Sequence, residues 1–310
     1  MKDKKNILII RLGALGDILL CMKPFQDIRR DYPDARITLL TTPSFADFTS
    51  SMPWLDRVMT DTRPSWWRLR EWIALSRKLR SEKFDLVFDL QNKPRTNLYY
   101  TLFFKGHADW SGTAKDCSHP RPAITEKMHR QEEMLLQMRS ANVRDSGPLN
   151  LDWLQGDLTA LTIPRPYAVL VPGCSPHLTH KRWPPAHYAA LAQELKKQGL
   201  SVVAVGTKAD AEAIAALRQQ ADFVQDLSGK TSLHQLGSVF RAARLVVGND
   251  TGPTFLSAMV NAPTLALLSH HTDPVLSGPR GERCAYLKKE TISDLSPQEV
   301  WEKARSLASL

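Results

Sequence analysis

Long apolar runs are missing from this chain of 310 residues. No stretch approaches the roughly 18 uninterrupted apolar residues of a membrane-spanning helix. Paired cysteines are missing as well. Cys21, Cys117, Cys174 and Cys284 stand alone, at no metal-binding or redox spacing, and are expected to be reduced and mostly structural. The opening Met1-Lys2-Asp3-Lys4-Lys5 leads straight into an apolar strand without a small-residue cleavage site, so no signal peptide and a cytoplasmic location are expected. Two nucleotide-binding signatures are absent. Gly13-x-x-Gly16 lacks the G-x-G-x-x-G spacing, and the next predicted strand ends in Thr41-Thr42 where a ribose-binding acid would stand. No Gly-Lys-Ser/Thr closes a Walker loop either. Acid is in short supply, with 32 Asp and Glu against 41 Lys and Arg. The resulting charge of +9 favours an anionic partner: nucleic acid, a phosphorylated ligand or anionic lipid. The basic residues are scattered and accompany no zinc finger or RNP-like motif, so nucleic acid is not expected.

What is present is a strand-helix beat that runs twice. Asn6–Leu12 reads as a strand buried on both faces, followed by a helix carrying Ile18, Leu19, Met22 and Phe25. Ala35–Leu40, Asp56–Met59 and Phe84–Leu90 read as further strands, with helices near Phe45–Met52, over Pro64–Arg80 and over Lys127–Arg139. Gly106–Pro122, with Trp110, Lys115, His119 and Arg121, reads as irregular, either a binding loop or a mobile one. Turn-rich segments at 145–148 and 163–166 bracket a connection, after which the beat restarts at Tyr167. Strands are expected at Tyr167–Val171, Leu200–Val205, within Asp222–Leu227, at Leu245–Val247 and at Thr264–Leu268. Pro297–Ala308 closes the chain as a helix. The expectation is two α/β domains with parallel sheets, residues 1–160 and 161–295, with a cleft between them as the default ligand site.

Polar groups cluster where strands end. Asp17 begins the first helix, either as a capping acid for unpaired amides or as a carboxylate held at the sheet's C-terminal edge. Gly13 and Gly16 permit a tight turn and close approach of a ligand. Asn92, Lys93 and Arg95 follow another strand, with groups suited to hydroxyl-rich or phosphorylated ligands, a plain polar loop with a helix cap being the other reading. In the second half, Gly173 and Ser175 offer amides and a hydroxyl, and Lys181 and Arg182 offer charge against phosphate. His177 and His180 lack a neighbouring carboxylate or cysteine, so no metal site is expected. Asp250, Thr251 and Gly252 sit at a strand-helix junction able to bind an anion, or to serve as a cap with a packing glycine. The helix with Trp66, Trp67 and Trp72 also holds Arg68, Arg70 and Arg77. It reads either as a surface against anionic membrane, or as a packing helix with Leu69, Ile73, Leu75 and Leu79 on the sheet.

Ile9–Asp17 (IIRLGALGD) with Pro24, then Lys181-Arg182-Trp183-Pro184, then Asn249-Asp250-Thr251-Gly252, together resemble the pattern of glycosyltransferase family 9, the heptosyltransferases of lipopolysaccharide assembly. The resemblance spans most of the chain. It implies the GT-B architecture, two Rossmann-like domains facing across a cleft. The first would hold the acceptor, the second the nucleotide sugar, and the helix at 296–310 would pack back toward the first. It further implies inverting transfer from an ADP-sugar donor to a lipid-linked glycan acceptor with no obligatory metal or other cofactor. Contact with the inner-membrane surface is a further expectation. Asp17 corresponds to the base and Lys181 to the cation over the donor phosphates. Asp250, Thr251 and Gly252, with Gly173 and Ser175, would hold the donor, and Gly13, Gly16, Asn92, Lys93 and Arg95 the acceptor. One departure stands out. The family's histidine three residues after the motif glycine is Phe255 here, which leaves open another nucleotide-sugar donor or acceptor, or a non-catalytic nucleotide-sugar-binding protein.

Overall fold

The computed structural model describes residues 4–175 and 177–310, so Met1–Asp3 of the opening and Pro176 of the phosphate-loop candidate lie outside the described residues. The chain divides into two compact units, Met1–Trp153 and Leu154–Leu310. In the first, β1 (Asn6–Ile10), β2 (Arg36–Thr41), β3 (Arg57–Thr60), β4 (Leu86–Asp89), β5 (Asp109–Gly112) and β6 (His119–Pro120) form a parallel sheet ordered β3-β2-β1-β4-β5-β6. Its helices are α1 (Leu15–Leu20), α2 (Met22–Asp31), α3 (Pro43–Ser50), α4 (Leu69–Ser81), α5 (Pro94–Tyr99) and α6 (Arg130–Ser140). A π-helical turn at Tyr100–Phe104 continues α5. Ile7, Leu8, Ile9 and Ile10 are all fully buried, which is why β1 is apolar at every position after Asn6 rather than at alternate ones.

In the second unit, β7 (Tyr167–Val171), β8 (Ser201–Ala204), β9 (Gln225–Asp226), β10 (Leu245–Asn249), β11 (Thr264–Leu268) and β12 (Cys284–Lys288) form a parallel sheet ordered β12-β11-β10-β7-β8-β9. Its helices are α7 (Pro185–Lys197), α8 (Ala211–Arg218), α9 (Leu233–Ala242), α10 (Gly252–Met259), α11 (Pro274–Ser277) and α12 (Pro297–Ala308). Counted from its own first strand, each sheet has the Rossmann order 3-2-1-4-5-6. The winding reverses between the first and fourth strands, and the loops leaving those strands diverge there, which opens a crevice at their C-terminal ends.

Several expectations are corrected. The division falls before the expected 160/161 because the tryptophan and leucine at 153 and 154 go opposite ways. Trp153 packs on Phe48 and Trp54 with ring centroids 5.9 and 5.7 Å apart, whereas the Leu154 carbonyl accepts from Arg241 and its side chain lies against Gly237. The stretch at 106–122 is not wholly irregular, since it supplies β5 and β6. The edge strand β12 is an unforeseen element whose half-exposed residues carry no buried-strand signal. Helix α12 packs its apolar face, through Val300, Trp301, Ala304 and Ala308, into the core of the second unit. Helix α4 starts at Leu69, later than Pro64, and buries Leu75 and Leu79 but leaves Leu69 and Ile73 exposed.

Candidate active site

Both candidate sites lie at the points where the strand order reverses. In the first unit, β1 delivers Arg11 and β4 delivers Leu90–Lys93 to the edge of a polar cavity of about 480 Å³. Asp17 occupies the first turn of α1, and its Oδ2 accepts the Ala14 amide at 3.1 Å, so the capping reading holds. Its Oδ1 meets Arg11 Nη2 at 2.7 Å, while the side chain stays 38% exposed toward the cavity. The two readings are compatible, because each carboxylate oxygen accepts more than one hydrogen bond. Arg11 is nearly buried and donates through Nη1 to the Leu90 carbonyl, which locks the guanidinium behind the carboxylate.

Asn92 and Lys93 reach the cavity as expected, together with Gln91, whose Oε1 accepts the Leu12 amide at 3.0 Å. Asn92 adopts the left-handed region and donates through Nδ2 to Gln137 Oε1 at 2.8 Å. Beneath them lies Asp89, fully buried at the end of β4, with Oδ1 accepting the amides of Gln91 and Asn92 at 3.0 Å each. Burial pushes its carboxyl up to about 6, against the lowering effect of Thr96, those amides and Arg11. Arg121, Arg130 and Glu133 complete the polar wall, and Arg121 Nη1 donates to Glu133 at 3.2 Å. Arg130 and Glu133 were missed because nothing in their local pattern distinguishes them from an ordinary first helical turn; only the chain's return over β4 and β5 brings them here.

Arg95 is not part of this wall. It donates to Tyr99 Oη at 2.6 Å and to the Pro64 carbonyl at 2.9 Å, and its guanidinium lies 4.9 Å from the Trp72 ring centre. On α5 it points one side away from Lys93 and ties that helix to α4. Gly13 has φ +109°, and a Cβ there would come within 2.6 Å of the Phe45 ring. Gly16 is the second residue of α1, beside Asp17.

In the second unit, the loops leaving β7 and β10 meet through charge. Lys181 Nζ lies 2.5 Å from Asp250 Oδ2 and 3.2 Å from Thr272 Oγ1, and Thr272 donates to the same Asp250 oxygen at 2.5 Å. An ammonium has three N–H groups, and two are engaged. The fully buried Asn249, the last residue of β10, holds the arrangement. Its Nδ2 donates to the Pro172 carbonyl at 2.8 Å, and its Oδ1 accepts from the Trp183 amide and from Tyr188 Oη. The buried Asn249 amide thereby fastens the loop leaving β7 to the end of β10.

The amide cradle at α10 is narrower than expected. Thr251 is its N-cap in extended conformation, Pro253 has no N–H, and the amides of Thr254 and Phe255 both go to the Thr251 carbonyl. Gly252 therefore supplies the first-turn amide facing outward. Phe255 is buried in α10. Gly173 is required by packing, since a Cβ there would come within 2.2 Å of the Asp210 carboxyl. Ser175 is exposed beside it. Arg182 turns back to the Cys174 carbonyl at 3.2 Å and supports the loop. His180, His271 and His270 cluster near Lys181, with centroids 4.3 and 3.7 Å apart; desolvation, then the neighbouring His270, His180 and Lys181, hold the His271 imidazole below its ordinary range. Among the described residues no group of three His, Cys, Asp or Glu side chains is placed to hold a metal ion.

Comparison with known proteins agrees with this geometry. A family model described as glycosyltransferase family 9 (heptosyltransferase) matches residues 72–300. Lipopolysaccharide heptosyltransferase 2 of Escherichia coli K12 is 24% identical, with 97% of this chain and 98% of that protein covered. Lipopolysaccharide heptosyltransferase 1 of the same organism is 26% identical, with 97% and 100% covered. Among solved structures, a family 9 glycosyl transferase from Veillonella parvula superposes with a TM-score of 0.84 at 19% identity, covering 100% and 99% of the two chains. An E. coli heptosyltransferase with ADP-2-deoxy-2-fluoro heptose superposes with a TM-score of 0.77 at 21% identity, covering 97% and 99%. Two Rossmann-like units of the GT-B class are the fold of this chain.

Proposed function

Because the chain belongs to glycosyltransferase family 9, we propose that this enzyme transfers a heptose from an ADP-heptose donor to the inner core of a lipid-linked glycan, with inversion. The observation that carries the reading is Asp17: its carboxylate is fixed by Arg11 and the Ala14 amide, yet open to a cavity rimmed by Lys93, Arg121 and Arg130. A hydroxyl of the acceptor gives its proton to Asp17 as its oxygen attacks the anomeric carbon. The bond from that carbon to the diphosphate breaks, and ADP leaves with the electron pair. Lys181, through its third N–H, and the Gly252 amide offset the charge that grows on the diphosphate. Arg11 keeps the base from turning away, and the cations of the cavity suit an acceptor glycan that bears carboxylate or phosphate groups. The relatives named for lipopolysaccharide heptose transfer, and one solved with an ADP-heptose analogue, support the donor and acceptor classes.

Phe255 favours a second reading, in which the protein transfers another sugar or only binds a nucleotide sugar. The test is calorimetric binding of ADP- and UDP-sugars together with transfer to a heptose-deficient lipopolysaccharide acceptor. ADP-heptose binding with product formation is expected. Tight binding without transfer to any competent acceptor would establish the non-catalytic reading, and transfer from another donor would establish the changed specificity.

A further inference from the structure

The first unit carries a second depression, unlike the polar one at Asp17. It is a groove of about 950 Å³ between α4 and the rod formed by α5 and its π-helical turn. Trp66, Leu69, Ile73, Leu98 and Leu102 line it, and all five are exposed, Trp66 at 78% and Leu69 at 68%. Trp67, itself 64% exposed, packs edge-on against Trp66 at 5.6 Å. Contiguous exposed apolar surface on this scale marks an interaction site in a soluble fold. The groove is also framed by charge. Residues 63–83 hold seven Lys and Arg against two Glu, an excess of five within a chain whose net charge is +9. Arg77 and Arg80 line the groove directly. Arg80 donates to the Leu102 carbonyl at 2.5 Å, which ties α4 to the opposite wall.

We propose that this groove seats the first unit on an anionic lipid bilayer, with Trp66, Leu69 and Ile73 at the acyl boundary and the flanking arginines on headgroup phosphates. Charge selects the occupant. Two copies meeting here would set two strongly basic rims against each other, whereas an anionic surface complements the rim and accepts the indoles at its interface. The rod adds a functional reason. Its first residues follow Lys93 at the edge of the Asp17 cavity, and its last turns wall the groove. Over the eleven residues 94–104, at about 1.5 Å each, the two ends lie on the order of 15 Å apart. A glycan projecting from a bilayer can span that distance, so the seat would present a lipid-linked acceptor to Asp17. The purpose of the seat rests on the transferase reading, but binding to the bilayer does not.

The test is co-sedimentation of the full chain with vesicles of phosphatidylcholine alone or mixed with phosphatidylglycerol, and transfer to a soluble, delipidated acceptor is assayed in parallel. Binding to the mixed vesicles is expected, sensitive to salt, and weakened at least about tenfold by Leu69→Ser with Ile73→Ser and by Arg70→Glu with Arg77→Glu. These positions are exposed, so both variants should fold, and transfer to the soluble acceptor should be unchanged. Absence of vesicle binding by the wild type would overturn the proposal. So would binding that survives both pairs of substitutions, or a dimer in solution that the apolar pair dissociates. Wild-type vesicle binding without any sugar transfer would sustain the seat while removing the transferase reading.

Discussion

The two units wind their sheets in the same strand order and then equip the same crevice in opposite ways. In the first, the strand that follows the reversal ends in an acid, Asp89, and the loop above it lines an open cavity in which Asp17 remains partly exposed. In the second, that strand ends in an amide, Asn249, and the loops above it close on a Lys181–Asp250–Thr272 cluster with little exposed side-chain surface. On the function proposed above, the first arrangement receives a hydroxyl and takes its proton, and the second holds a cation ready for the donor's diphosphate. The topology fixes where each site can be, and a few buried polar residues decide its chemistry.

The largest expected effect comes from removing the base in the first unit alone. Asp17→Asn keeps an acceptor for the Ala14 amide but cannot accept the hydroxyl's proton. Turnover should fall about 10²–10⁴-fold, the usual contribution of a positioned general base, while ADP affinity measured by calorimetry stays near wild type. A variant with near-wild-type turnover would transfer the role of base to another group. Loss of ADP affinity would mean that the division of labour between the units is wrong.

Making the first unit resemble the second is the next test. Burial raises the folded-state pKa of Asp89 to about 6, so between the ordinary carboxylate range and that value the folded chain binds more protons than the unfolded one. Stability from this group is therefore present at low pH and lost as pH rises toward 6. At one pKa unit per about 1.4 kcal/mol, the loss is on the order of 3 kcal/mol. Asp89→Asn removes this dependence, so in urea unfolding the variant should gain on the wild type between pH 4 and 7. A stability difference that does not change with pH would show that the carboxyl is not raised.

These buried groups were also the hardest to read from sequence. The two sheets were legible because buried parallel strands such as Asn6–Ile10 and Thr264–Leu268 are unbroken apolar runs after their first residue, and glycines and prolines punctuate the chain between them. Asp17, Lys181 and Asp250 stand out in their motifs, and the structure places Asp17 at the first unit's cavity and Lys181 against Asp250. Asn249 stood in the same motif, but its role depends on loops 77 positions apart in the chain. Sequence places Arg95 beside Lys93 without showing that the helix turns it toward Trp72 and Tyr99. Strand β12 escaped because an edge strand with half-exposed residues lacks the apolar run that identified the others.

The smallest expected effect separates charge from architecture in the second unit. Lys181→Met leaves the largely buried Asp250 carboxylate with only the Thr272 hydroxyl, so the unit loses stability as well as affinity for ADP. A lost phosphate contact alone should weaken ADP binding about tenfold, close to 1.4 kcal/mol. Pairing that change with Asp250→Asn removes the stranded charge, so the double variant should recover thermal stability while its ADP affinity stays low. If affinity returns with stability, the lysine serves only to neutralise Asp250. If affinity stays low in a refolded, stable protein, the third N–H of Lys181 belongs to the diphosphate, and the closed cluster is the ligand-free form of a phosphate site.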